Sequence, residues 1–412
     1  MTGEQSSVRE SSVVTRQSPG SVTDPLPQPA PAPQSSPERQ ESLVIQTSFI
    51  GDVILTTGLI AELAMRGPVD VVVTPQGASV LANNPAIRRL HVFDKRDSRS
   101  GLGGLWRMGR ELRGRRDAAP VTGEASAIGA PRTRGRRARR VGYLAQGSVR
   151  SAVLATLAGC GERVGFSTAA GRALYTARVE YRDDVHHAER LWRLAFAHDQ
   201  DVRPPSGAIV PRVYPGPSDI AAVDTLLSKM EGGERLIALA PGSVWETKRW
   251  PFYVALAQTL AAGARIAVIG GADDAAAGAA IVAAAGANRV IDATGKLSLL
   301  GSAELIRRAE RIITNDSSPT HLASAVGTPT VTIFGPTVSE FGFGPLAPHS
   351  VSAGHHALPC RPCHHHGPRR CPLGHWKCMR DLTPGEILNV IDGVAGRQSS
   401  VVRTGPSPTD ES

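Results

Sequence analysis

The chain has 412 residues, 46 Lys and Arg against 37 Asp and Glu, and five cysteines. That length exceeds what a single core usually organises, and no run of roughly eighteen apolar residues occurs that would span a bilayer as a helix. The surplus of nine positive charges is local: Lys95 to Arg140 holds 14 basic and four acidic residues. Such density suits nucleic acid, anionic lipid or a phosphorylated glycolipid, or is a solvated insertion.

Residues 1–40 are rich in Ser, Pro and Gln, include PLPQPAPAPQSSPE, and are expected to be a disordered leader. Ser42 to Gln46 reads as a buried strand, followed by the turn Thr47 to Gly51 and a helix that opens at Asp52. Val53, Ile54, Leu55, Leu59, Ile60, Leu63 and Ala64 make a wide apolar stripe on that helix. Val69 to Val73 and Arg89 to Phe93 are further strands, with a short helix at Gly77 to Asn83 between them. Leu102 to Arg116 suits an Arg-rich helix, and the stretch at about 118–140, without periodicity, suits a flexible basic insertion. Helices are expected at Ser148 to Leu157 and Glu189 to His198, and a Pro-rich linker at 205–218.

The second half repeats the alternation. A helix around Ile220 to Met230 precedes strands at Leu236 to Leu239, Ile266 to Ile269 and Val290 to Asp292, with helices at Phe252 to Ala261, Ala275 to Ala284 and Ser302 to Ala309. Arg311 to Thr314, His321 to Val326 and Thr330 to Phe334 then form a strand-helix-strand unit. Asn315 to Ser318 supply its turn, and Pro319 falls in the first helical turn. Thr383 and Glu386 make a capping box for a last helix at 383–396, before an expected disordered tail at 397–412. The predicted architecture is α/β, with Rossmann-like doubly wound domains at 41–204 and 219–382.

In open α/β sheets, ligands bind beyond the carboxyl ends of the strands. Three loops fall there: Thr47 to Asp52, Pro241 to Trp250, and Asn315 to His321. They offer one early carboxylate, Asp52, a Ser/Thr/Lys/Arg set and a helix N-terminus, which attracts anions. That inventory fits transfer of a group away from a diphosphate. The simpler reading makes Asp52 an N-cap, Lys248 part of a solvated basic loop, and Asp316 or Ser317 a cap.

Gln46 to Leu55, the loop ending Thr247-Lys248-Arg249-Trp250-Pro251, and Thr314-Asn315-Asp316-Ser317 with His321, Ala323 and Phe334-Gly335-Pro336 resemble the heptosyltransferases of glycosyltransferase family 9. The resemblance runs from about Ser42 to Val394. It implies a GT-B architecture in which two Rossmann-like domains face each other across a cleft, the first for a lipid A core acceptor and the second for ADP-heptose or a similar nucleotide sugar. It also implies inverting chemistry without a metal cofactor. Asp52 then matches the catalytic base and Lys248 the lysine on the donor phosphates, with Ser243 and Thr247 beside it. Asp316, Ser317, Ser318 and His321 fall at the donor-binding helix start. Ser318-Pro319 departs from the glycine that many members carry there. Asp273 or Asp274 is placed to meet a ribose hydroxyl.

Cys360, Cys363, Cys371 and Cys378 read C-x2-C-x7-C-x6-C, with His364, His365, His366 and His375 interspersed. Thiolates and imidazoles at such spacing point to a structural zinc site, distant from any base. Cys160 is expected in the core. The expected protein is cytoplasmic, with peripheral contact at an anionic membrane surface. A related transferase with another sugar or acceptor is the alternative. A nucleic-acid-binding arm ranks last, because Trp106 and Tyr143 are the only aromatics near the basic segment.

Overall fold

The structure, a computed structural model, describes residues 40–94, 101–114, 139–230 and 235–396. The expected leader and tail, and nearly all of the expected basic insertion, lie outside the described residues.

Strands β1 (Glu41–Gln46), β2 (Val69–Val73), β3 (Arg89–Val92), β4 (Arg140–Leu144), β5 (Glu162–Phe166) and β6 (Ala177–Val179) form one parallel sheet. Its order is β3-β2-β1-β4-β5-β6. Strands β7 (Leu236–Ala240), β8 (Arg265–Val268), β9 (Val290–Asp292), β10 (Arg311–Asn315), β11 (Thr330–Phe334) and β12 (Val351–Gly354) form a second, ordered β12-β11-β10-β7-β8-β9. Helices cover these sheets, so β1, β2, β7, β10 and β11 are buried along their whole length; β7 and β11 are apolar or Thr-bearing throughout, whereas β1, β2 and β10 also bury Glu41, Gln46, Asp70, Arg311 and Asn315. The chain reverses its direction of sheet growth between β1 and β4, and again between β7 and β10. The three loops singled out above follow β1, β7 and β10, so both switch points carry candidate ligand loops.

Several elements depart from the periodicity. The helix expected to open at Asp52 begins at Ile50, with Phe49 in the cap position, and breaks at Thr56 into Ile50–Leu55 and Thr57–Ala64. Asp52 is therefore a first-turn residue and not the N-cap. At the break, the Thr56 and Thr57 hydroxyls donate to Asp52 O at 2.6 Å and Ile54 O at 2.7 Å. Linker residue Arg212 donates its N–H to the Thr57 hydroxyl at 2.9 Å, which ties the linker to this helix. The helix expected at Ser302 starts a turn earlier, as Leu299–Arg308, because the Ser298 hydroxyl caps it by accepting from Gly301 N–H. Strands β5, β6 and β12 have no counterpart in the sequence reading: β5 has Glu, Arg and Gly among its five residues, β6 has three residues, and β12 is Val-Ser-Ala-Gly. The Thr383–Glu386 box is formed, with Thr383 N–H donating to Glu386 Oε2 at 2.7 Å. Among the described residues no helix is long and apolar enough to cross a membrane.

Candidate active site

Asp52 projects from the first turn after β1. The Ser48 hydroxyl, four residues earlier, donates to Asp52 Oδ2 at 2.6 Å. On its other side, His187 Nε2 lies 3.7 Å from Oδ1. Burial raises the Asp52 carboxyl above its ordinary range, opposed by the Ser48 hydrogen bond and the neighbouring His321 and His366. His187 and His321 are themselves pushed down by burial, to about 3 and about 4, so both are neutral at pH 7. The base candidate thus sits among uncharged imidazoles rather than in an ion pair.

His321 comes from the helix Ser318–Val326 in the other sheet layer, yet it reaches the Asp52 turn. A Cβ placed on Gly51 would come within 2.7 Å of its ring, so the glycine preceding Asp52 admits this imidazole. His187 is fixed from its backbone, where its N–H donates to Gly342 O at 2.8 Å. His186 Nε2 meets Gly344 O at 3.0 Å. These bonds join the helix His187–Arg193 to the loop after β11.

Across the cleft, Lys248 Nζ and Asp316 Oδ2 form an ion pair at 2.6 Å, with side chains only 10 % and 11 % exposed. Thr337 donates its hydroxyl to the same carboxylate oxygen at 2.6 Å. Lys248 is therefore held and aimed, contrary to a solvated basic loop. Asp316 caps nothing here: Ser317 is the cap residue of Ser318–Val326, and its hydroxyl makes no capping bond. Instead Ser317 Oγ lies 3.3 Å from Asn315 O. Ser318 opens the helix, Pro319, which has no N–H, follows, and Thr320 N–H donates to Ser317 O at 3.1 Å, so the Ser318 N–H is the first-turn donor turned toward this space. Ser243 lies at the start of the donor-side loop, where its carbonyl accepts from Arg249 Nε at 2.9 Å. Thr247 instead turns its hydroxyl away, donating to Pro368 O at 2.5 Å. Of the two acidic candidates after β8, Asp274 packs against Gly242 and lies 3.6 Å from Arg249 Nη2, whereas Asp273 is exposed.

Asn315, quoted above as part of a motif, proves to be the stitch between the two loops. Fully buried, it accepts from Trp250 N–H at 3.2 Å and donates to Pro241 O at 2.8 Å. Ser48, His187 and Thr337 have no sequence signal of their own; each acquires its place through a partner distant in the chain or on a turn.

The Cys/His-rich segment corrects a further expectation, because it folds back over the site instead of standing apart from it. Cys363 N–H donates to Pro336 O at 2.8 Å, and the Gly367 backbone packs on the Lys248 side chain. His366 stands near enough to Asp52 and Lys248 for both charges to act on it. Cys360 Sγ lies 3.8 Å from His375 Nε2, and Cys363 Sγ donates to Cys360 O at 3.1 Å. Among the described residues, however, no group of three or more His, Cys, Asp or Glu side chains is arranged to hold a metal ion. Cys160 is buried, as expected.

Two Rossmann-type sheets with a carboxylate on one side of the cleft and a lysine beside a helix start on the other define a glycosyltransferase of GT-B architecture. The chain belongs to glycosyltransferase family 9 (heptosyltransferase), whose family model matches residues 135–376. It is 26% identical over 319 residues to lipooligosaccharide heptosyltransferase 2 of Haemophilus influenzae, covering 73% of this chain and 84% of that one. A heptosyltransferase 2 of Campylobacter jejuni is 28% identical over 168 residues, and the match spans about half (52%) of that relative. Among solved structures, the family 9 glycosyltransferase of Veillonella parvula superposes with a TM-score of 0.71 at 20% identity, over 87% of this chain and 98% of that one. The ADP-heptose heptosyltransferase II of Escherichia coli gives 0.66 at 22% identity, over 86% and 98%. Both share the fold.

Proposed function

We propose that this protein transfers heptose from ADP-heptose to a lipid A-linked acceptor of the lipopolysaccharide inner core, with inversion and without a metal cofactor. The observation that carries this reading is the pairing of Asp52 on the β1 side with the Lys248–Asp316 ion pair at the opposite switch point. The acceptor hydroxyl attacks the anomeric carbon as the bond to the diphosphate oxygen breaks. Asp52 takes the hydroxyl proton, and its raised proton affinity favours that step. The electron pair leaves with ADP, whose growing negative charge is met by Lys248 and by the N-terminus of Ser318–Val326. Ser243 borders the same space. A ribose hydroxyl is assigned to Asp274 rather than Asp273.

The four cysteines are proposed as a structural zinc site and not a catalytic one. Four thiols and a nearby imidazole suit zinc chemically, and ligation would require the side chains to rotate toward one centre. The protein is proposed to be cytoplasmic, meeting an anionic membrane surface through the basic stretch that begins in the helix Leu102–Gly114. That helix exposes Trp106, with Arg110 stacked on it at 4.7 Å. The test of function is ADP release from ADP-heptose by purified protein, with and without a lipid A core acceptor. Acceptor-dependent release is expected. Release with a different sugar nucleotide or acceptor only would reassign the substrates, and failure to bind ADP would overturn the reading.

A further inference from the structure

The donor-side groups do not account for the aromatic rings that frame Asp52. Phe49, the cap residue of the helix carrying Asp52, is a large apolar side chain left 60% exposed. Facing it, 6.2 Å between ring centroids, is His366 of the Cys/His-rich segment, also exposed. The two rings come from opposite halves of the chain, and both neighbour Asp52, the carboxylate proposed as base. Resting on the transferase reading above, we propose that Phe49 and His366 form the acceptor subsite, gripping the sugar ring that carries the attacking hydroxyl.

Three observations support this assignment. First, a base works within hydrogen-bond reach of the proton it removes, so groups beside Asp52 that are outside the diphosphate site must border the acceptor. Second, His366 is carried on an anchored loop: Thr247 holds Pro368 O at 2.5 Å, Cys363 N–H holds Pro336 O at 2.8 Å, and the His365 ring packs 4.5 Å from Phe341. Gly367 makes this possible, since it has a φ of +82° and an added Cβ would sit 3.1 Å from Lys248 Cε. The loop therefore ties the acceptor side to the lysine of the donor side. Third, the same loop leaves His364, Arg369 and Arg370 exposed, a donor-rich edge suited to a phosphate or carboxylate on the acceptor. An aromatic ring and an imidazole suit a sugar, which offers an apolar C–H face and hydroxyl groups at its edge.

The experiment compares Phe49→Ala, His366→Ala and His366→Gln with the wild type, measuring KM for acceptor, KM for donor, and ADP affinity without acceptor. Because both side chains are exposed, the unfolding midpoint should stay at the wild-type value. Acceptor KM should rise roughly tenfold in each alanine variant, with His366→Gln recovering part of it and ADP affinity changing less than about twofold. Wild-type acceptor KM in both alanine variants would overturn the subsite while leaving the transferase reading intact. A matching loss of ADP affinity would also overturn it, by making the loop a donor wall. Absence of transfer by the wild type would defeat the underlying reading instead.

Discussion

Lys248→Ala separates stability from binding at the donor site. In the folded protein the Lys248–Asp316 pair is about one-tenth exposed, and Thr337 adds one hydrogen bond to the same carboxylate oxygen. Removing one partner of a buried pair typically costs 3–5 kcal/mol, because the other charge stays behind unpaired. The remaining Thr337 bond and the open cleft reduce this, and a loss of about 2–3 kcal/mol is expected. Urea unfolding would measure it, with ADP titration calorimetry on the same samples. Lys248→Met combined with Asp316→Asn removes both charges and should recover at least half of the lost stability, yet its ADP affinity should stay as weak as that of Lys248→Ala. Unchanged stability and ADP affinity in Lys248→Ala would show the pair to be a solvated contact and refute the reasoning.

Acid should destabilise the fold through its buried histidines. The folded-state values of His186, His187 and His321 are lowered to about 4, 3 and 4, below the ordinary 6.5, so the unfolded chain takes up protons first as pH falls. Their stabilisation is complete above pH 6.5 and is lost between there and about pH 4 for His186 and His321, or about pH 3 for His187, at up to about 1.4 kcal/mol per pH unit for each, partly offset by Asp52, whose shift has the opposite sign. His321→Gln should flatten that slope between pH 5 and 6.5, and an unaltered slope would remove His321 from the account. Asn315→Leu should cost about 2–4 kcal/mol, because it strands Trp250 N–H and Pro241 O in the core; a midpoint shift equivalent to under about 1 kcal/mol would contradict its role as a stitch. Excess EDTA should leave initial rates unchanged, while Cys363→Ser should lower the melting temperature of zinc-loaded protein. Elemental analysis that finds no zinc would end the structural-site proposal.

The fold was legible where buried parallel strands alternate with capped helices, as at β1, β7, β10 and β11. It was not legible at β6 or β12, where only three or four residues pair and do so because a neighbouring strand is present. At the site, Asp52, Lys248 and Asp316 could be singled out because their loops follow switch-point strands. Their environment could not. Lys248 meets Asp316 across 68 residues, and His187 reaches Asp52 only through the packing of two helices far apart in the chain, Ile50–Leu55 and His187–Arg193. The return of residues 360–376 over the cleft leaves no periodic trace, since the bonds from Cys363 N–H to Pro336 O and from the Thr247 hydroxyl to Pro368 O hold it and no apolar stripe does.

The most direct measurement is the turnover of Asp52→Asn with ADP-heptose and a lipid A core acceptor, alongside its ADP affinity. The substitution keeps the shape of the side chain and a hydrogen bond to Ser48, and removes only the ability to take a proton. If Asp52 is the base, kcat falls by roughly 10²- to 10⁴-fold with ADP affinity nearly unchanged. A folded Asp52→Asn protein that turns over at close to the wild-type rate would contradict it.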